Sequence, residues 1–345
     1  MNQKPIRVLI VDDSSYMRFV LGKILGEDSD IEVVGGARDG AHALEMLEET
    51  NPDVITLDIE MPRLDGYETL QRIMKRRPTP VIMLSNPTER GDNATIRALE
   101  LGAVDFLRKP DKRESLTMES VREELIEKIK LAAAVDPQSG TNGPAPAHRH
   151  ASEPPPATRE IKRLVVIACS TGGPKALARL LPAVPRDAPV GLIVVQHMPA
   201  GFTSSLAGRL DLLSPFRVTE ARDHDMICAG RAFVAPGNQH LKIQSGGLLA
   251  LSSDPPVNNV RPAADVSMMD AAREYGDRAV AVVLTGMGAD GAAGAAAIRA
   301  AGGVAIAQHP STCVVDGMPS SLINSGNADH IVPLTRIARE VMDLV

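Results

Sequence analysis

Two sets of residues in this 345-residue chain have types and spacings suited to chemistry. The first is acidic. Asp12 and Asp13 follow the apolar run Ile6–Val11, and Asp58 follows Val54–Leu57. Ser85 closes the run Val81–Leu84, and Lys109 comes just after Val104–Leu107, in FLRKP. Clustered carboxylates repel one another and raise one another's pKa unless a cation sits among them. A hard divalent ion with oxygen ligands, such as Mg2+, meets that need. A carboxylate nucleophile, a metal, a hydroxyl and a lysine together suit phosphoryl transfer onto an aspartate. The competing reading is that Asp12 and Asp13 only cap the next helix.

The second set lies in the C-terminal half. Ser170 stands in CSTGGP, directly after the apolar run LVVIA. A serine at a strand-to-helix turn projects its hydroxyl at the sheet's carboxyl edge, and amides at the helix N-terminus can face a developing anion. G-x-S-x-G is absent, so the α/β-hydrolase motif does not apply, and STGG alone could be an N-cap or an anion-binding turn. His197 ends the next apolar run, in GLIVVQHMP. Histidine is the side chain best able to take a serine proton near pH 7. Asp290, in VLTGMGADG, could hold that imidazole in its reactive tautomer. The same segment spells Gly286-x-Gly288-x-x-Gly291, the dinucleotide fingerprint. Asp290 inside the turn would oppose a pyrophosphate, and no ribose-binding acid stands about 20 residues on. His240, in PGNQHL, reads as a residue satisfying loop hydrogen bonds.

Both sets need elements that bring strand ends to one edge. In the N-terminal half Ile6–Val11, Glu32–Gly35, Val54–Leu57, Val81–Leu84 and Val104–Leu107 read as buried parallel strands. Helical stretches such as Tyr16–Leu25 and His42–Glu49 lie between them, and a last helix has Met118, Val121, Leu125, Ile129 and Ala132 on one face. In the C-terminal half Leu164–Ala168, Gly191–Val195, Ala232–Val234, Ala279–Leu284 and Val304–Ala307 read as strands. Helices are expected at Pro174–Leu181, Thr203–Leu212, Asp265–Tyr275 and Gly291–Ala301. The fold class is α/β with two doubly wound parallel-sheet domains, in which ligands bind at the strands' carboxyl ends.

Residues 133–158 hold six prolines and two glycines with few large apolar side chains. Such a stretch cannot offset its ordering entropy, so it reads as a Pro/Gly-rich flexible linker. The expected domains are therefore 1–132 and 159–345. Net charge is −6, with no Trp, three Tyr and five Phe, so neither a basic field nor an aromatic platform for nucleic acid is expected. Cys169, Cys228 and Cys313 are far apart and form no CxxC pair, which argues against a cysteine zinc site or a disulfide framework. The longest stretch free of Asp, Glu, Lys and Arg, Ala188 to Gly208, is broken by two prolines and is no membrane span. A cytoplasmic location is expected.

Residues 5–128 closely resemble the receiver domain of two-component response regulators, through LIVDDS, LDIEMPRLDG, Ser85 and Lys109–Pro110. The resemblance implies a flavodoxin-like fold and a phosphoryl group accepted by Asp58 from a chemotaxis histidine kinase. It implies Mg2+ held by Asp12 or Asp13, Asp58 and the Glu60 carbonyl. Ser85 and Lys109 would read the phosphate, and Phe106 would be the switch aromatic. CSTGGP, VVQHMP, PGNQHL, VLTGMGADG and CVVDGMP closely resemble the chemotaxis-specific protein-glutamate methylesterase family. That resemblance implies a Rossmann-like catalytic domain, a Ser170–His197–Asp290 triad and oxyanion contacts at Thr171 and Met287. It further implies demethylation of glutamate esters, and deamidation of glutamines, on methyl-accepting chemotaxis receptors. The unphosphorylated receiver would block the esterase. A peptide-binding switch without chemistry, a small-ester serine hydrolase and a DNA-binding regulator are the rival readings.

Overall fold

The computed structural model describes residues 4–85, 89–109, 118–135 and 161–345. The chain divides into two compact units, Met1–Thr141 and Asn142–Val345. Pro110 and residues 136–158 of the expected linker lie outside the described residues, as does the side chain of Met118.

The first unit alternates strand and helix throughout: β1 (Ile6–Val11), α1 (Ser15–Gly26), β2 (Ile31–Ala37), α2 (Gly40–Thr50), β3 (Val54–Asp58), α3 (Gly66–Arg76), β4 (Val81–Ser85), α4 (Glu89–Leu101), β5 (Asp105–Arg108) and α5 (Met118–Ala133). The strands lie parallel in the order β2-β1-β3-β4-β5. The strand order reverses beside β1, so the crevice opens at the carboxyl ends of β1 and β3. β3 and β4 are buried along their whole length, as strands covered on both faces must be. Val121, Leu125, Ile129 and Ala132 form the buried stripe of α5, as their spacing predicts.

The second unit has a larger sheet. Its elements are β6 (Arg163–Cys169), α6 (Gly173–Leu180), β7 (Val190–Gln196), α7 (Phe202–Leu213), β8 (Arg217–Glu220), β9 (Arg231–Val234), β10 (His240–Gln244), β11 (Leu248–Ser252), α8 (Ala264–Tyr275), β12 (Ala279–Val283), α9 (Ala292–Ala300), β13 (Val304–Gln308), α10 (Gly317–Asn324), β14 (His330–Val332) and α11 (Leu334–Asp343). Seven parallel strands run in the order β14-β13-β12-β6-β7-β9-β8, and β10 with β11 makes a separate antiparallel hairpin. β6 is central, and the chain winds outward from it in both directions. The switch point therefore lies where β7, β6 and β12 end side by side. The five expected strands are all present, within a residue or so at each end. The edge strands β8 and β14 and the hairpin are additions that the sequence pattern did not disclose.

Candidate active site

β6 pairs with β7 so that Cys169 lies opposite Gln196, and the next residue on each strand is Ser170 or His197. The His197 amide donates to the Cys169 carbonyl at 3.0 Å, which fixes the two strand ends against each other. Gln196 is buried, and its Nε2 donates to the carbonyls of Ser170, at 3.0 Å, and His197, at 3.1 Å. One amide side chain thus clamps both residues.

Two close approaches shape the serine turn. Gly172 has φ of 80°, a conformation that L side chains rarely adopt, and it leads into α6. Gly286 lies against Ser170 so tightly that a Cβ there would stand 2.7 Å from the Ser170 Cβ. Only glycine allows the loop after β12 to touch the serine turn. Thr285, buried one residue earlier, holds the surrounding loops together. Its Oγ1 lies 3.0 Å from the carbonyls of Thr171 and Val315 and accepts the amides of Val314 and Val315. The hydroxyl has one proton, so the two carbonyls share it.

His197 Nε2 stands 2.7 Å from Asp290 Oδ2. With Nε2–H donated to the carboxylate, Nδ1 is the nitrogen whose lone pair can take a proton. Asp290 is buried, and burial pushes its carboxyl up. The His197 hydrogen bond and charge, with the amides of Ala264 and Asp265, outweigh that effect and hold it below the usual range. Those amides open α8, and they donate at 2.6 and 3.0 Å. A helix N-terminus favours an anion. The carboxylate is therefore ionised at neutral pH and fixed in direction.

Asp265, in the first turn of α8, is the residue that sequence reasoning missed here. Its Oδ1 accepts the amides of Gly291 and Gly294, at 3.0 and 2.7 Å, at the start of α9. This settles the G-x-G-x-x-G segment. The amides that a pyrophosphate would need are already held by Asp265.

Cys169 is the nearest rival nucleophile, one residue from Ser170. It is fully buried, and burial pushes its thiol above the usual range, so the thiolate is suppressed. Ser170 is half-buried. His240 accepts the Ala263 amide on Nδ1, and its Nε2 contacts the Pro255 carbonyl, so it serves loop structure as expected. Thr171 is buried beside Ser170, and Met287 is half-buried in the loop that Gly286 presses on Ser170.

The first unit brings its own set together. Val11 pairs with Leu57, which places Asp12 beside Asp58. Lys109 Nζ lies 2.7 Å from both Asp12 Oδ2 and Asp58 Oδ2. Carboxylate oxygens of Asp12, Asp13 and Asp58 lie within 4.8 Å of one another. Burial pushes the Asp58 carboxyl up, and Asp12 adds to that. Lys109 and the Glu60 amide oppose it, and the net value is about 6. Asp12 Oδ2 meets Lys109 as an ion pair without an aligned hydrogen bond, which leaves a buried anionic oxygen available. One lysine is too little charge for three carboxylates, and an all-oxygen donor set suits a hard divalent cation. The cap of α1 is Ser14, whose hydroxyl accepts the Met17 amide, so Asp12 and Asp13 are not its N-cap. Ser85 is buried at the end of β4, and Glu60 is exposed, two residues beyond Asp58. Phe106 is buried, and its carbonyl accepts Lys128 Nζ at 2.7 Å.

Residues 165–341 match the family model described as CheB methylesterase, and residues 8–120 match the response regulator receiver domain. The chain belongs to the CheB methylesterase family. A Symbiobacterium thermophilum protein-glutamate methylesterase/protein-glutamine glutaminase is 50% identical over 97% of this chain and 96% of its own length. A protein of the same description from Thermotoga maritima is 46% identical over the whole of both chains. The crystal structure of the Thermotoga maritima CheB methylesterase catalytic domain superposes with a TM-score of 0.52 at 44% identity. It covers 53% of this chain and 98% of that one. This member of the CheB family is thus a methylesterase joined to a receiver domain. Among the described residues, no helix is long and apolar enough to cross a membrane.

Proposed function

We propose that the chain removes methyl groups from glutamate methyl esters of methyl-accepting chemotaxis receptors, and deamidates glutamines there, through Ser170, His197 and Asp290. The single observation that carries this is the 2.7 Å contact between His197 Nε2 and a buried, ionised Asp290, at the strand end beside Ser170. Ser170 Oγ attacks the ester carbonyl carbon while His197 Nδ1 takes its proton. Asp290 stabilises the imidazolium. The carbon–oxygen bond to the methoxy group breaks, and the proton on Nδ1 leaves with methanol. Water then attacks the acyl-enzyme, giving one proton to Nδ1, which passes it to Ser170 as the acyl–oxygen bond breaks, and the glutamate acid departs and loses the other proton to solvent. A glutamine amide follows the same course and releases ammonia. Thr171 and Met287 are the oxyanion contacts in this reading.

The receiver supplies the control. Asp58 accepts a phosphoryl group from a chemotaxis histidine kinase, and Ser85 and Lys109 read it. Asp12, Asp13, Asp58 and the Glu60 carbonyl would hold Mg2+, which supplies charge neutralisation for the incoming phosphoryl oxygens. Residues 1–132 form the receiver, 133–158 the linker and 159–345 the catalytic domain. The unphosphorylated receiver restrains the esterase, and phosphorylation shifts the population toward the active state. Phe106 acts as the switch aromatic. The protein works in the cytoplasm, without nucleic acid and without entering the membrane.

Methanol release from methyl-esterified chemoreceptor membranes, with Mg2+ and a small phosphodonor, tests the chemistry. Release by the native chain and none by Ser170→Ala is expected. Release by both removes Ser170 as nucleophile. A chain lacking residues 1–158 should release methanol faster than the unphosphorylated full chain. Equal or slower release contradicts blocking by the receiver.

A further inference from the structure

Asp290 has neighbours that the triad does not account for. α8 and α9 exchange caps: Asp290, just before α9, holds the first amides of α8, while Asp265, inside α8, holds the first amides of α9. Two buried carboxylates therefore face each other. The positive ends of two helices share their charge. Burial, and the charge of Asp290 after it, push the Asp265 carboxyl above its usual value, while the Gly294 and Gly291 amides and Asn258 oppose this.

A third residue joins the pair. Val257 and Val260 exchange backbone hydrogen bonds at 3.1 and 3.0 Å around a two-residue turn. The turn residues Asn258 and Asn259 have φ of 53° and 61°. Positive φ at both central positions marks the tight hairpin turn in which Asn and Gly are preferred. The turn carries the Asn258 amide to the carboxylates. Its Nδ2 donates to Asp265 Oδ2 at 2.8 Å and makes a weaker, 3.4 Å contact with Asp290 Oδ1.

We infer that Asn258, with Asp265, is a positioning residue for the esterase: it ties Asp290 to the α8–α9 cap exchange and so fixes the carboxylate that orients His197. This rests on the triad reading above. Among the described residues, the amide is the one side-chain donor besides the imidazole that reaches Asp290. The titratable groups facing Asp290 are His197, from the end of β7, and Asp265, from α8. Removing the Asn258 amide takes away a donor that spans both carboxylates, and so frees the Asp290 carboxylate to turn. Loosening the carboxylate also lets the imidazole leave its reactive direction.

Asn258→Gly and Asn258→Asp separate this role from a role in the turn alone. Glycine suits the left-handed turn and lacks the amide. Aspartate tolerates the turn and brings a third carboxylate. The full chain is assayed for methanol release on methyl-esterified chemoreceptor membranes, and the His197 Nε2–H signal, which reports the hydrogen bond to Asp290, is recorded by NMR. The expected result for Asn258→Gly is a kcat lowered about tenfold with KM unchanged. Asn258→Asp should lose more. The His197 Nε2–H signal should shift or broaden in both, furthest in Asn258→Asp. A turn-only role predicts two variants as active as the native chain, with that signal unmoved, and that result overturns the inference. The NMR signal decides the point even if Ser170→Ala stays active, an outcome that would sink only the proposed chemistry.

Discussion

Asp58 and Asp290 lie at the carboxyl edges of two different sheets. Asp58 ends β3 and Asp290 stands in the loop between β12 and α9, and each is 2% exposed. Yet one carboxyl is raised to about 6 and the other is held below its usual value. The difference lies in what opposes burial. Asp58 has a lysine that it must share with Asp12. Asp290 has two helix amides of its own and an imidazole at 2.7 Å. The under-compensated carboxylate is the one proposed to take a cation and a phosphoryl group. The fully compensated one is proposed to hold His197 in place. Burial alone therefore does not set the role of an acidic residue at a strand end; its donors do.

Ser170→Ala should have the largest effect, on the order of 10^6-fold in kcat, because the attacking atom is gone. A smaller loss would mean that another group attacks. Asp290→Asn keeps the shape but loses the charge that stabilises the imidazolium, so kcat should fall on the order of 10^4-fold. An unaltered rate would show that the compensated carboxylate does no orienting.

Asp58→Asn probes the other side of the comparison through stability. The folded carboxyl sits near 6 and the unfolded one near 3.8. Between those values the folded chain keeps a proton that the unfolded chain has lost, so stability falls as pH rises through that window. Above pH 6 the asparagine variant, free of metal, should exceed the native chain by about 3 kcal/mol. The gain should vanish below about pH 4. Urea unfolding at pH 7.5 and pH 3.5 measures it, and equal stabilities at both values would mean that Lys109 already compensates Asp58. Thr285→Val has the smallest expected effect. It strands the Val314 and Val315 amides and should cost about 1–3 kcal/mol, visible as a lower Tm.

The candidate site residues were legible in the sequence because each follows a buried apolar run, and parallel strands must end together. Asp12, Asp58, Ser170, His197 and Asp290 stand where that logic places them. Three kinds of feature were hidden. β8 and β14 are four and three residues long and partly exposed at the sheet edges, so they lack the apolar run that marks a central strand. The hairpin of β10 and β11 alternates burial over only five residues a strand. α10 and α11 were not singled out, although Asp316 and Gly326 bracket α10 and Pro333 precedes α11. Asp265 and Asn258 were hidden for another reason. Asn258 reaches Asp265 seven residues on, but Asp290 and the Gly291 and Gly294 amides lie 25 to 32 residues away, and only the packing of α8 against α9 brings them in. The two-residue turn around VNNV was the available signal for Asn258, since paired asparagines favour positive φ.

The most direct measurement of the contrast is a carboxyl NMR titration of Asp58 and Asp290 in one metal-free sample of the full chain. Asp58 changing near pH 6, with Asp290 ionised throughout and changing only below 3.8, is the expected result. Both carboxyls titrating together, or Asp58 ionising at the ordinary value, would contradict it.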